Sequence, residues 1–360
     1  MSGIRCNADY ESELFHGLSS TAVNQSIEFL TFFLDPRPLF TSKKYSTDYL
    51  EYVEKVSGMK PTLVTTGAWE NWWGPLTDPE LEKHLNSKLT STQLNTDHGW
   101  CGNTRILSGP AGLGDFRPDG SVIVKSPSGM SGQKILPFNL ENKREIENLL
   151  SQGPLVVEPL LQRTHDFSHY VFPDSHHIAY QNIVNGRFQY KGTVFTDHRR
   201  PQVENLSFYS EVTEGRWSEF TVALKTIKDF YHRQGPGPGF SVDSFIYREA
   251  GELEIRYLSE VNRRKTMGLV CYLLSQRYAT EHPFTMLVLS KSHKKKGGLP
   301  FLRQQLSKLL QTTSARVLLL SPGDTRFELF FISAEDKLSA LRVLRELGDL
   351  LPDSEFPVQL

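Results

Sequence analysis

Two β-rich runs separated by a tight turn constrain this chain more than any other feature. Phe240-Ser241-Val242-Asp243-Ser244-Phe245-Ile246-Tyr247 and Tyr257-Leu258-Ser259-Glu260-Val261-Asn262-Arg263-Arg264 flank Glu249-Ala250-Gly251-Glu252, so together they read as a β-hairpin. Side chains alternate across a strand, which puts Glu260 and Asn262 on one face, and the hairpin brings Asp243 close to them. Three oxygen donors on one sheet face suit Mg²⁺, which takes carboxylates completed by water and phosphate oxygens. An acid and an amide on a strand more often face solvent, so this pattern needs support from elsewhere in the chain.

Two upstream segments supply it. Ser121-Val122-Ile123-Val124-Lys125 reads as a strand ending in lysine, followed by the small-residue stretch Ser126-Pro127-Ser128-Gly129-Met130-Ser131-Gly132 and a second strand start near Ile135. Small residues let backbone N–H groups approach phosphate oxygens, and the lysine adds a point charge. The segment is not a P-loop, since no G-x-x-x-x-G-K-[ST] is present. Further on, the apolar strand Leu155-Val156-Val157-Glu158 leads through Pro159-Leu160-Leu161 to Asp166. Such a strand and linker can offer a carboxylate and backbone groups to a purine edge, although a core strand with a capping acid fits the same pattern.

The order of these pieces resembles the ATP-grasp superfamily of ATP-dependent ligases over residues 60–270. Leu85-Asn86-Ser87-Lys88-Leu89-Thr90 resembles that family's Asn-x-Lys at the entrance to the lid, and Glu70-Asn71-Trp72-Trp73-Gly74 is similar to the short domain preceding the grasp in certain peptide ligases. The resemblance implies an α+β chain: an N-terminal α/β domain over 1–85, a lid over 86–154, a central antiparallel sheet with the metal site over 155–281, and a small C-terminal α/β extension over 282–360. It further implies that Lys88 and Lys125 contact ATP phosphates, with Lys125 also catalytic, and that Ser128, Gly129, Ser131 and Gly132 close over them. Glu158 would accept from the adenine amino group, the backbone of Leu160 and Leu161 would read the ring edge, and Asp166 would take the ribose. Asp243, Glu260 and Asn262 would hold Mg²⁺, with Mn²⁺ as a substitute, and Arg264 would face an acyl phosphate. The implied activity joins a small-molecule carboxylate to an amine with release of ADP. The alternatives are an ATP-dependent small-molecule kinase and a non-catalytic ATP-binding regulator.

Composition narrows the setting without choosing among these. A 360-residue chain has room for two or three subdomains, and a net charge of −1 gives no reason to expect nucleic acid. Mean hydropathy is −0.37 and the longest apolar stretches fall far short of a membrane span, so no membrane partner is expected. Cys6, Cys101 and Cys271 form no C-x-x-C pair, which argues against a disulfide framework or zinc ribbon. The N-terminus lacks a signal-peptide core, and a reducing cytoplasm is the simplest setting. A homo-oligomer is left open.

Outside the implied site, periodicity predicts helices over 24–33, 48–56, 141–151 and 220–233, the last ended by Gly235-Pro236-Gly237-Pro238-Gly239. The tail reads strand, helix, strand, strand, helix over 285–289, 299–310, 315–320, 327–332 and 335–347. Arg199 and Arg200, after the strand-like Gly192-Thr193-Val194-Phe195, are candidates for binding a substrate carboxylate, which arginine does bidentately. A solvated turn before Pro201 is the plainer reading. The histidines at 165, 169, 176 and 177 match no standard metal spacing. The basic run 291–296 lacks interleaved aromatics and reads as a solvated loop. Trp69, Trp72 and Trp73 read as packing.

Overall fold

The hairpin forms as its sequence demands, and the rest of the chain is arranged around it. The computed structural model describes residues 2–101, 103–129, 135–279, 281–291, 303–304, 306–307, 309, 313–325 and 327–350. Four short parallel strands open the chain: β1 (Gly3–Arg5), β2 (Leu39–Phe40), β3 (Leu63–Val64) and β4 (Trp69–Asn71), in the order β3-β2-β1-β4. The helical run expected over 24–33 is divided into helices Thr21–Ile27 and Thr31–Leu34 by a 3₁₀ turn at Glu28–Leu30. The division turns Glu28 inward, where its carboxylate accepts from Thr41 Oγ1 at 2.7 Å and the Tyr45 hydroxyl at 2.9 Å.

The next sheet is antiparallel: β5 (Arg105–Leu107), β6 (Asp119–Lys125), β7 (Ile135–Asn139) and β8 (Leu155–Pro159), in the order β5-β8-β6-β7. Helix Lys143–Gln152 buries Ile146 and Leu150 against it, making a small core with Val124, Phe138 and Val157. The strand ending at Glu158 therefore belongs to this lid sheet, one strand beyond the boundary drawn at residue 154.

Among the described residues the central sheet has eight strands, all antiparallel: β9 (Gln162–Val171), β10 (His177–Val184), β11 (Tyr190–Phe195), β12 (Phe240–Glu249), β13 (Glu252–Asn262), β14 (Phe284–Lys291), β15 (Arg316–Leu319) and β16 (Phe327–Ala334). Their order is β13-β12-β9-β10-β11-β14-β16-β15. The β12–β13 turn places Ala250 at φ 50° and Gly251 at φ 96°, the left-handed pair whose twist matches a two-residue hairpin. One face is covered by helix Glu214–Arg233, which packs Trp217, Phe220, Ile227 and Tyr231 on Phe167, Val242 and Ile246. Helix Met267–Tyr278, capped by Thr266, lies against β9, β11, β14 and β16 and joins the other apolar cluster.

The tail strands β14, β15 and β16 extend the central sheet, which the sequence pattern alone read as a separate extension. The chain just past β15 and the end of helix Met267–Tyr278 fasten the N-terminal domain: the Tyr49 hydroxyl donates to the Leu320 carbonyl, and the Tyr278 hydroxyl donates to the Phe33 carbonyl at 3.0 Å. Within the helix expected over 299–310 the described residues 303–304, 306–307 and 309 are helical, while the rest of that stretch and most of the basic run 291–296 lie outside the described residues. Among the described residues no helix is long and apolar enough to cross a membrane.

Candidate functional site

The hairpin register pairs Asp243 with Glu260 and Ser241 with Asn262, so the two acids stand directly across from one another. Directly opposed residues have Cβ atoms only about 4.5–5.5 Å apart. Asp243 accepts from Ser168 Oγ at 2.7 Å and Ser241 Oγ at 2.9 Å through one oxygen, and from the Asn262 amide at 2.9 Å through the other. Burial, reinforced by the charge of Glu260, pushes its carboxyl up to about 7. Burial acts on Glu260 in the same direction but is outweighed by Lys88, Lys125 and Arg264, which hold it down to about 2.

Lys88 reaches Glu260 from the junction of two helices. Helix Pro79–Asn86 ends at Ser87, whose side chain caps helix Lys88–Asp97 by accepting from the Leu89 N–H. Lys88 thus occupies a helix's first turn, where the macrodipole favours anions and disfavours a cation. Glu260 Oε2 at 2.9 Å offsets that cost. The Lys88 ammonium also donates to the Gly129 carbonyl at 3.1 Å, and its backbone N–H donates to the Pro127 carbonyl at 2.9 Å. The small-residue loop is therefore moored to the lysine at two points.

β13 ends at Asn262, and the next residues are stitched to other elements. The Arg263 N–H donates to Asn86 Oδ1 at 2.7 Å, and its guanidinium pairs with buried Glu82. The Lys265 N–H donates to the Trp73 carbonyl at 2.8 Å. These ties aim Arg264 back at the cluster, where it donates to Asn262 Oδ1 at 2.9 Å and Glu11 Oε1 at 2.6 Å. The other oxygen of Glu11 accepts from the Gly129 N–H at 3.1 Å. Glu11, on helix Tyr10–His16 of the N-terminal domain, thus links the loop to Arg264.

Lys88, Lys125, Gly129, Asp166, Asp243, Glu260, Asn262 and Arg264 line a single cleft between lid and central sheet. Its volume of about 320 Å³ lies within the range of small-molecule sites. Ser128 is buried in the loop beside it, and Ser131 and Gly132 lie outside the described residues.

Other expected residues are placed differently. Glu158 does not present a free carboxylate to a purine: it is buried between Lys125, whose ammonium it pairs with, and Arg256 at 3.1 Å. Burial lowers the pKa of both cations, that of Arg256 to about 10, so this acid holds two charges in a poorly solvated place. Leu160 is exposed, its N–H donates to the Ser121 carbonyl, and the Leu161 carbonyl accepts from the Arg163 N–H; neither residue lines the cleft. Asp166 does, held by Arg163 at 3.0 Å. That guanidinium is itself sandwiched between the rings of Phe188 and Phe245, at 4.5 and 3.9 Å. Arg199 and Arg200 are exposed on the loop after β11 and do not line the cleft; Arg199 pairs with Asp197 at 3.3 Å.

The sequence reading passed over Glu11, Arg163, Ser168, Asn182 and Arg256. Asn182 donates to Ser168 Oγ at 2.6 Å and so continues the Asp243 network onto β10. Alternation along β9 could have pointed to Ser168, since it shares a face with Asp166. The partners of Glu11 and Arg256 lie too far along the chain for any local signal.

The donor set fits a divalent cation. Two opposed, half-buried acids line one cleft, one kept ionised by borrowed lysine charge and the other pushed toward neutrality, and Asn262 adds an amide oxygen beside them. No cluster of three or more His, Cys, Asp or Glu suited to a metal occurs among the described residues. Two carboxylates and an amide could hold a cation only if water or substrate oxygens completed its shell.

The histidines serve packing. His165 stacks on Phe208 at 4.4 Å, while His169 is buried among Phe167, Phe220 and His177. Burial, with the nearby His177 and Lys228, holds the His169 imidazole well below its usual range. The fold therefore keeps it neutral, whereas the unfolded chain takes up a proton below roughly pH 6.5. Stability is expected to be full above that pH and to fall as pH drops below it. Calorimetric melting of wild type and His169→Phe between pH 5 and 7.5 checks this, since the variant should show the shallower slope; equal slopes would refute it.

Trp72 and Trp73 are buried, and Trp69 stacks on Phe40 at 4.3 Å, as packing requires.

No protein-family model matches the sequence, and no curated protein sequence matches it. Solved structures do. The chain is similar to the N5-carboxyaminoimidazole synthetase of Staphylococcus aureus complexed with ADP, at 11% identity and a TM-score of 0.52, covering 87% of this chain and 85% of that one. A second structure of the Staphylococcus aureus protein gives 11% identity and a TM-score of 0.50, with 87% and 86% covered. The ADP complex of an N5-carboxyaminoimidazole ribonucleotide synthetase gives 12% identity and a TM-score of 0.50, with 87% and 79% covered. At this identity the likeness is one of fold.

Proposed function

We propose, on the ATP-grasp fold that this likeness establishes, that the chain is an ATP- and Mg²⁺-dependent carboxylate–amine ligase that releases ADP and phosphate. One observation carries the reading: two lysines, two opposed acids, an amide and an arginine, drawn from three parts of the chain, converge on one cleft beside a small-residue loop.

A carboxylate is a poor electrophile toward an amine and must first be activated. In the proposed reaction a substrate carboxylate oxygen attacks the γ-phosphorus of ATP, and the bridging oxygen departs with ADP. The amine then attacks the acyl carbon, phosphate leaves, and the amine gives up a proton. Such phosphoryl transfer asks the protein for positioning and charge compensation more than for covalent chemistry. Lys88 and Lys125 hold the phosphates, and backbone groups of Ser128 and Gly129 approach them. Asp166 takes the ribose. Asp243, Glu260 and Asn262 would hold Mg²⁺, which when bound would supply positive charge to the transferred group. Arg264 binds the acyl phosphate, and the loop excludes water that would hydrolyse it.

Glu11 acts on Arg264 and on the loop, and is a positioning residue. Glu11→Gln keeps the shape and removes the charge. Losing one charge-assisted hydrogen bond, worth about 1.5 kcal/mol, should lower kcat on the order of tenfold while ATP affinity stays unchanged. Steady-state kinetics and ATP titration on one preparation separate the two. A fall in ATP affinity with kcat intact would contradict the role.

The test of the function itself is ADP release in the presence of Mg-ATP and a panel of amino acids and dipeptides, with mass analysis of the products. The expected product is an amide, with one ADP for each amide formed. A phosphorylated alcohol in its place would make the protein a kinase. Tight ATP binding with no turnover on any acid would make it a regulator.

A further inference from the structure

The cleft is divided by strand. Its charged side chains come from the lid, the helices and β9, β12 and β13, whereas β10, β11, β14 and β16 contribute only Tyr180, Asn182, Val184, Tyr190, Leu289 and Phe327. At about 4.8 Å per strand, β14 stands roughly 24 Å across the sheet from Glu260 on β13. The wall from Arg264 toward this apolar half is Thr266-Met267-Gly268. Tyr180 lies so close over Gly268 that a Cβ there would fall 2.0 Å from its ring. Its hydroxyl is tied to Ser241 Oγ and Thr266 Oγ1, each at 3.1 Å, so the ring is held in place with its polar tip already partnered. Val23 and Ile27 of the N-terminal domain also line the cleft, and Val23 remains 39% exposed.

We infer that this half of the cleft is the subsite for the aliphatic or aromatic group of an unphosphorylated carboxylic acid whose carboxylate lies at Arg264. The inference rests on the ligase reading above and adds the class of acid. The described cations lining the cleft, Lys88, Lys125, Arg163 and Arg264, all come from its other half, each beside an acid. None of the described residues that β10, β11, β14 and β16 contribute to the cleft lining carries a cation for a phosphate or a second carboxylate. Burial of an apolar group there is favourable at about 25 cal/mol per Å², whereas a buried phosphate would stand unpaired.

The experiment measures ADP release with Mg-ATP, hydroxylamine as the amine, and leucine, phenylalanine, 3-phenylpropanoate, glycine, aspartate and phosphoserine as acids. KM is expected to be at least tenfold lower for the three acids with apolar groups than for the other three, in line with the discrimination an apolar pocket gives. Val23→Asp, at an exposed position, should raise KM for those acids at least tenfold while ATP affinity, read by titration, is unchanged. Preference for phosphoserine or aspartate, or an unchanged KM in Val23→Asp, would overturn the subsite and leave the ligase reading standing. If no acid elicits ADP release while ATP still binds, the ligase reading fails first and the subsite falls with it.

Discussion

Glu260→Gln should reduce ADP formation by a factor on the order of a hundred or more, with the circular dichroism spectrum and melting temperature close to wild type. Its carboxylate both holds the Lys88 ammonium and faces Asp243 across the hairpin, so one neutral oxygen has to replace two electrostatic contacts. Preorganised charge is worth most in a site whose transition state spreads negative charge over phosphoryl oxygens, and losses of this size follow the removal of one such group. Asn262→Ala should be comparably damaging, since it strips a hydrogen bond from Asp243 and another from Arg264 at once. Product formation and nucleotide affinity measured together separate the outcomes. Turnover within threefold of wild type in either variant would remove the hairpin from the chemistry.

The largest effect on stability is expected from Glu158→Ala. This acid sits between Lys125 and Arg256, and its loss leaves two buried cations facing each other. Breaking a buried pair by deleting one partner costs about 3–5 kcal/mol, and here one deletion strands two charges. Arg256 keeps only a hydrogen bond to Thr104 Oγ1 at 3.0 Å, and its Nε already lacks a partner. Lys125→Ala should cost much less stability, because Glu158 retains Arg256, yet under the proposed role should weaken ATP binding by removing a positive charge from the cleft. Urea unfolding of both variants, alongside Glu158→Gln, makes the comparison. A fully stable Glu158→Ala with altered ATP-over-GTP preference would restore the purine-edge role suggested by sequence alone.

What the sequence disclosed follows from the range of each interaction. The hairpin was legible because its strands are separated by two residues whose backbone can take positive φ, and because a period of two fixes which acids share a face. Lys125 was legible as the end of a strand before a run of small residues. Glu11 was not, since its contact with Arg264 spans 253 positions and nothing near it marks an acid as buried. Glu158 was correctly put at a strand's end but its partner was missed, because Arg256 lies 98 residues away on another sheet. The tail illustrates the same limit: its strands were visible, but membership in the central sheet depends on long-range pairing with β11. Arg199 and Arg200 follow the end of a strand, as binding residues often do, yet the loop there turns toward solvent and Asp197 takes Arg199.

The central claim is that this cleft activates a carboxylate by phosphorylating it, and trapping the acyl phosphate tests that claim most directly. Hydroxylamine added with Mg-ATP and a responsive acid converts an acyl phosphate to a hydroxamate, which is quantified against ADP. The account predicts hydroxamate in a one-to-one ratio with ADP, dependent on Mg²⁺ and reduced at least a hundredfold in Glu260→Gln. ADP formed without hydroxamate, with the phosphoryl group recovered on a hydroxyl or as free phosphate independent of the acid, would contradict it.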